Sequence, residues 1–423
     1  MPVLHPKVSG PTQQDAKAPS WFCAQIGARE HYAIPRALRE ARRPVRLYTD
    51  FWAGPLTRRL ATGKLRTLAT RFHPDLAQPT KLVCSWNWRS LGWESLLRRK
   101  FANQPYHGFI EVGRRFATRV REDLNRRIDL SNDSILFAYD TGALESLAWC
   151  REHKTKCVLN QMDPNRVEVE LVRAEEKCWP GWALRSLEVP EEYFVRREQE
   201  WALADRVVVN SEFSRQALRQ QGVTAEKLVV IPLCFEARQE NQKLEMGNRK
   251  SNAPFRVLFL GQVILRKGIQ YLLAAARQLK NENIHFDVVG PLGISEMAVK
   301  TAPSNLTFHG RANRDQTAKW YQQADVFVLP TLSDGFALTQ LEAMAHGLPV
   351  VATPNCGAVV TDGQDGFIVP PRDADALTQT FRRYLAQPEL LPAQSAAARE
   401  KSRQFTLARL TKNLIQLEAS LLA

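Results

Sequence analysis

Two acids eight residues apart, Asp334 and Glu342, lie in the stretch LSDGFALTQLEAMAHGLPVV (332–351). Gly335 and the run Phe336 to Ala345 read as a helix entry followed by an apolar-faced helix. Gly347 suits its C-terminal stop, and Pro349 cannot extend it. An acid at such an entry can act as a simple cap, because free backbone N–H groups attract negative charge. The same N–H groups also make a seat for phosphate. Eight residues are a little over two helical turns, so both carboxylates can border one side of a single cleft. A second cluster precedes them. The run VLFLGQVILRKGIQYLLAA places Gly261 and Gly268 around a strand-to-helix loop that delivers Arg266 and Lys267. Two cations beside a helix start can receive a diphosphate, although a solvated basic turn has the same composition. The G-x-x-x-x-G-K-[ST] spacing of a P-loop is absent. Carboxylates suit sugar hydroxyls, and cations suit phosphate. One region offering both sets points to a nucleotide-sugar.

The elements that position these groups follow from hydrophobic patterning. Short, nearly continuous apolar runs predict strands at 134–140, 156–161, 206–211 and 227–233 in a first half. A second half repeats the pattern at 255–261, 284–290, 305–310, 325–330 and 348–353, with helical stretches such as 269–279 between them. Runs of this kind fit parallel sheets covered on both faces. The alternation predicts an α/β chain of two doubly wound, Rossmann-like units, with ligands bound where strands end at a cleft. Residues 1–20 read as a flexible tail and 21–235 as the first domain. Residues 236–254 read as a polar linker and 255–393 as the second domain. From 394 to 423 we expect a C-terminal helix whose Leu407, Leu410, Leu414, Leu417 and Leu421 form one apolar stripe.

With these motifs in place, the chain resembles the retaining glycosyltransferases of family 4 (group 1), which have the GT-B fold. The resemblance covers residues from 205 to 375. It rests on ADRVVVNSEFSRQAL, VLFLGQVILRKGIQYLL, WYQQADVFVLPTLSDGFALTQLEAMAHGLPVVAT and DGQDGFIVPPRDADAL. It implies that the family's E-x7-E motif falls on Asp334, against the transferred sugar, and Glu342, on the ribose of the nucleotide. Lys267 matches the phosphate-binding Lys of a K-G pair. Many relatives place Arg directly after the strand's Gly, where this chain has Gln262, so Arg266 is the candidate for that task. The Leu338 and Thr339 amides should face the diphosphate, and the turn at Gly310 and Arg311 resembles the base-binding segment. Asp334 departs from the usual Glu by one methylene. The resemblance further implies retention of anomeric configuration, no obligatory metal or other cofactor, and a glycan, lipid-linked or small-molecule acceptor. A catalytically weak protein that only binds nucleotide-sugar as a partner subunit is the competing reading.

The first half matches the family loosely. There FCAQIGAREHYAI reads as strand, glycine turn and helix, with Gly27 letting a diphosphate approach the backbone. His31 is either a packing residue or a substrate contact. In FAYDTGALESL, with Tyr139, Asp140 and Thr141, Asp140 is the candidate for touching sugar or acceptor. Asn160, Gln161 and Asp163 end the next strand and could line the same cleft.

Composition narrows the function classes. The 423 residues carry 58 Lys/Arg against 44 Asp/Glu. Residues 1–130 hold 24 Lys/Arg against 10 Asp/Glu, while the remaining 293 hold 34 of each, so all the excess positive charge lies in the first third. An anionic partner is expected there. Segments 56–72 and 114–128 have apolar stripes (Leu65, Leu68 and Phe72; Phe116, Val120, Leu124 and Ile128) among many arginines. They fit a peripheral contact with an anionic membrane surface or, equally, core-facing helices with basic outer faces. No helix-turn-helix or RNA-binding aromatic signature is visible, which disfavours nucleic acid. Neither a secretory leader nor a membrane span is expected. The odd count of seven cysteines, without C-x-x-C, suggests reduced thiols in a cytoplasmic setting. The eight histidines lack metal-ligand spacing, so no metal site is expected.

Overall fold

The apolar runs pair as their patterning dictates. In the computed structural model, residues 18–60, 66–77, 82–127, 133–186, 188–236 and 253–423 are described. Most of the expected tail and linker lies outside these residues, as do Lys64, Leu65 and Ile128. Seven strands form the first sheet: β1 (Ser20–Gln25), β2 (Val45–Thr49), β3 (Val83–Ser85), β4 (Ser134–Tyr139), β5 (Lys156–Gln161), β6 (Arg206–Val209) and β7 (Leu228–Val230). Six form the second: β8 (Phe255–Leu260), β9 (Ile284–Val289), β10 (Leu306–Gly310), β11 (Val326–Leu329), β12 (Val350–Ala352) and β13 (Gly366–Ile368). Their orders are β3-β2-β1-β4-β5-β6-β7 and β10-β9-β8-β11-β12-β13. Neighbouring strands run parallel throughout, for example Cys23 beside Leu47 and Phe137, and Val257 beside Phe286 and Val326. Both units are Rossmann-like, and together they make the GT-B architecture. β2, β3 and β13 add to the strands read from the sequence; all three are short or flanked by charge, which weakens their apolar signal.

Each sheet is buried on both faces. Phe22, Leu136, Leu159 and Val207 lie in one layer of the first domain, and Trp21, Phe137, Val158 and Val208 in the other. The second domain divides likewise, with Phe259, Phe286 and Val328 on one face and Leu258, Phe327 and Val350 on the other. Phe116, Val120 and Leu124 on the helix Pro105–Asn125 are 5%, 0% and 1% exposed. Its apolar stripe therefore serves the first core rather than a surface. Among the described residues of segment 56–72, Pro55–Leu60 and Arg66–Ala69 are helical.

The chain's end differs from a single helix over 394–423. Helix Leu390–Ser402 packs against the second domain, the chain turns at Gln404 and Phe405, and Thr406 caps a new helix, Leu407–Leu422. Leu410, Leu414, Leu417 and Leu421 of that helix are buried against Trp21, Ile34 and Leu38 of the first domain. Trp21 Nε1 donates to Glu418 Oε2 (2.8 Å), and Arg43 pairs with Glu418 (2.7 Å). Burying four leucines contributes about 1.5–3 kcal/mol each. The last helix thus ties the second domain's chain to the first.

Candidate functional site

In an open α/β sheet the crevice forms where strand order reverses and adjacent loops diverge. The second sheet reverses between β8 and β11. The loop after β8 carries Arg266 and Lys267 in a short 3-10 turn, Leu265–Lys267, ending at Gly268 with φ 74°. Any Cβ at Gly268 would stand 1.8 Å from Pro330 O, so only glycine lets the two crevice loops touch. The loop after β11 carries Ser333, Asp334 and Gly335. Lys267 Nζ donates to Asp334 Oδ2, whose other oxygen accepts from Phe336 N (3.2 Å). Arg266 Nη1 donates to Ser333 O (3.0 Å). Arg266, Lys267 and Asp334, separate in sequence, form one cluster whose side chains are 23%, 14% and 15% exposed. Burial alone would raise the Asp334 pKa, but Lys267 and Arg266 outweigh it and hold the carboxyl below its usual range.

The helix after this loop starts later than its sequence suggests. It spans Thr339–Ala345, with Leu338 as N-cap and Ala337 at φ 64°. Asp334 therefore lies on the loop, five residues before the helix, where its ion pair with Lys267 replaces a capping role. Leu338 and Thr339 occupy the start of the helix, where N–H groups lack intrahelical partners. Seven residues make only a short dipole, so the cations carry most of the positive field. Glu342 is on the first turn and accepts from Tyr321 Oη (2.9 Å). Tyr321 also stacks on His346, with ring centroids 4.9 Å apart. Gly261 and Gly310 end β8 and β10 on either side of Gly290. The Gly290 amide donates to Gly310 O (2.8 Å), and a Cβ there would strike Gly261 O at 1.7 Å. Gly261, Gly310 and exposed Arg311 thus border the carboxyl rim of the sheet at β8, β9 and β10.

The first sheet reverses between β1 and β4, so Gly27 and Asp140 flank its crevice. Gly27 has φ 80° and open space where a side chain would stand, while its amide donates to Asp50 Oδ1 (2.7 Å). Beyond it, Glu30, His31 and Tyr32 take left-handed φ values of 51°, 51° and 60° in succession. Such conformations cost L-residues about 1–2 kcal/mol each, so the packing of buried Tyr32 must offset them. Tyr139 Oη donates to Glu30 Oε2 (3.3 Å), and burial pushes the Glu30 carboxyl up to about 7 against the opposing pull of Arg29.

Asp140 is not open to the cleft. It is buried and paired with Arg197, whose side chain is 1% exposed. Arg197 also bonds Asp163 Oδ1 (2.8 Å) and Asn165 Oδ1 (3.0 Å), and Gln161 Nε2 donates to Asp140 Oδ2 (3.2 Å). Glu200, on the same helix as Arg197, accepts from the amides of Thr141, Ala143 and Leu144 at 2.7–3.1 Å. Burial pushes its carboxyl up to about 7. Sequence reasoning missed Arg197 and Glu200, although a signal existed. With Tyr193 and Trp201 they occupy positions i, i+4, i+7 and i+8, which puts two charges on the apolar side of a helix.

The two crevices meet. A Cβ on Gly335 would lie 2.0 Å from Met162 O, so the second domain's loop rests on the end of β5. Glu168, on the first domain's helix Arg166–Cys178, accepts from Arg266 Nη1 (3.1 Å) and Ser333 Oγ (2.8 Å). Glu168 and Ser333 also escaped the sequence reading, since a contact between domains leaves no local pattern. Among the described residues, no group of three or more His, Cys, Asp or Glu is placed to hold a metal ion, and no helix is long and apolar enough to cross a membrane. All seven cysteines are free thiols.

Comparison with known proteins places this geometry in context. The sequence model for Glycosyl transferases group 1 matches residues 254–387, which contain the Lys267–Asp334 cluster and Glu342. The D-inositol 3-phosphate glycosyltransferase of Geodermatophilus obscurus is 30% identical over 249 residues, 53% of this chain and 55% of its own length. The amylovoran biosynthesis glycosyltransferase AmsK of Erwinia amylovora is 27% identical over 213 residues, 46% of this chain and 51% of its own. The chain thus spans about half the length of these curated relatives. Sucrose-phosphate synthase from Thermosynechococcus elongatus superimposes with a TM-score of 0.61 at 18% identity, covering 96% of this chain and 99% of that one. HepE from Anabaena, in complex with UDP and glucose, gives 0.58 at 16% identity over 95% and 100%. Residues 254–387, which hold the crevice of Arg266, Lys267 and Asp334 and the helix of Glu342, are thus similar to group 1 glycosyltransferases, and the chain has the GT-B fold.

Proposed function

We propose that the chain transfers a hexose from a nucleotide-diphosphate sugar to a glycan, lipid-linked or small-molecule acceptor, with retention of anomeric configuration. The observation that carries this reading is the cluster of Arg266, Lys267 and Asp334 at the second domain's crevice, with Glu342 on the adjoining helix, inside the region of group 1 similarity. Relatives named for amylovoran biosynthesis and for inositol phosphate glycosyl transfer support a role in bacterial surface polysaccharide or glycolipid synthesis. A neighbour that holds UDP and glucose supports the donor class.

The chemistry follows from charge. Breaking the anomeric C–O bond leaves an oxocarbenium-like sugar and moves an electron pair onto the departing diphosphate. Lys267 and Arg266 stabilise that charge, with Leu338 and Thr339 amides assisting. Asp334, held ionised, faces the sugar, and Glu342 takes the ribose hydroxyls. Gly261 and Gly310 give the nucleotide room, with Arg311 toward the base. Across the cleft Gly27 admits the diphosphate. Asp140, locked by Arg197, positions the acceptor wall rather than touching substrate. No metal is required, so turnover should persist in EDTA. The protein would work in the cytoplasm. Trp93, Leu96 and Phe109, exposed on helices of the basic first third, support contact with an anionic membrane face.

The test is sugar release and transfer across a panel of UDP- and GDP-sugars, with and without acceptor, and NMR of the product anomer. Turnover with retention supports the proposal; binding without turnover in every combination would favour the partner-subunit reading that the shortened acid at 334 suggests.

A further inference from the structure

Both cations of the donor crevice are already neutralised in the structure, each by a different domain. Lys267 pairs with Asp334 of its own domain. Arg266 pairs with Glu168, which belongs to the other. The helix carrying Glu168 is fastened at its far end. Glu175, two turns later and 1% exposed, accepts from Gln270 Nε2 (2.8 Å), Tyr271 Oη (2.8 Å) and Arg372 Nε of the second domain. Beyond it, Leu184 N donates to Gly293 O (3.0 Å) and Ser295 N to Trp182 O (2.7 Å). The Glu175 end is therefore a saturated anchor. The Glu168 end differs, since its side chain is 21% exposed and two contacts, Arg266 and Ser333 Oγ, tie it to the second domain.

We propose that Glu168 is a positioning residue that occupies Arg266 in the donor-free protein, so that a nucleoside diphosphate binds by displacing this carboxylate and releasing the helix end from the second domain. The reading rests on the proposed donor chemistry and adds a coupling between donor binding and interdomain contact. Its physical basis is competition: a phosphate oxygen and a carboxylate oxygen seek the same guanidinium N–H, and both cannot be satisfied at once. Around Glu168 stand Arg266, Ser333 and Asp334 of the second domain and Asp163 and Tyr106 of the first. Burial and the two aspartates raise its pKa more than Arg266 and Ser333 lower it, so protonation as pH falls should loosen the pair.

The test is titration calorimetry of full-length wild type, Glu168→Gln, Ser333→Ala and Lys267→Ala with UDP, GDP and inorganic pyrophosphate. We expect E168Q to bind about tenfold tighter, within the range of ordinary coupling between sites, and S333A to show a smaller gain. The E168Q advantage should shrink as pH falls toward the raised pKa of the wild-type carboxyl, because a protonated carboxyl no longer competes for Arg266. That pH trend separates competition from mere loosening of the fold. Equal or weaker binding by folded E168Q, or an advantage independent of pH, overturns the proposal. If E168Q misfolds, S333A binding no tighter than wild type overturns it instead. Absence of binding in every variant defeats the coupling together with the donor reading, whereas tight binding unaffected by K267A would defeat the donor-site assignment alone.

Discussion

The two crevices share a topology and differ in how their charges are used. In the first domain, Arg197 and Asp140 have side chains 1% and 5% exposed and satisfy each other. In the second, Arg266, Lys267 and Asp334 remain 14–23% exposed at the strand ends. A buried, ion-paired network fixes the shape of a wall, because breaking it leaves an uncompensated buried charge. A half-open cluster can exchange its partners for a ligand. The same doubly wound frame therefore supplies a rigid face and a receptive one, and the difference lies in burial rather than in residue type.

The comparison can be broken at several points. The largest effect is expected in the receptive crevice, where Lys267→Ala and Glu342→Ala should each lower donor turnover by roughly 10²–10³-fold while the thermal midpoint moves little. Wild-type turnover in both would overturn the assignment. In the rigid crevice the balance should invert. Arg197→Leu strands Asp140 and Asp163 and should cost about 3–5 kcal/mol of stability, seen in chemical denaturation, before any question of catalysis arises. Leu417→Ala, which opens a hole between the last helix and the first domain, should cost about 2–5 kcal/mol and leave donor affinity intact.

A smaller effect distinguishes the crevices by pH. Glu30 has a folded pKa of about 7 against an ordinary 4.5. Its contribution to stability is fully present below the unfolded value and is lost as pH rises through about 7. Asp334 behaves in the opposite sense: its pKa is depressed, so its contribution is present above the ordinary carboxylate value and disappears only as pH falls through the lower folded one. Thermal melts from pH 5 to 8, as an approximate window, should show stability declining with pH in wild type and a shallower decline in Glu30→Gln. An unchanged slope would show that Glu30 is not the titrating group.

Much of the receptive crevice was legible because its parts lie on strand ends that announce themselves. VLFLG and DVFVLP are apolar runs that can only be buried strands, and the polar residues that follow them, Arg266, Lys267 and Asp334, must emerge at the sheet's carboxyl edge. The helix start was misjudged by three residues, since Gly335 and Phe336 look like a helix entry. The chain instead needs an extended loop there, for Asp334 to reach Lys267 and for Gly335 to sit on Met162. The apolar stripe at Phe116, Val120 and Leu124 was equally readable as periodicity, but its destination was not, because a core and a membrane present the same apolar surface to a helix.

Local sequence determined the parallel α/β frame, the two crevice loops and the pair of acids, because hydrophobic period and glycine positions act over a few residues. Tertiary structure alone decided which charges are spent on one another. Asp140 met Arg197 across 57 residues, Arg266 met Glu168 across 98, and Trp21 met Glu418 across 397. Whether a charge is available to a ligand depends on the partner that folding brings within hydrogen-bond reach, and that distance is set by packing rather than by neighbours in the chain.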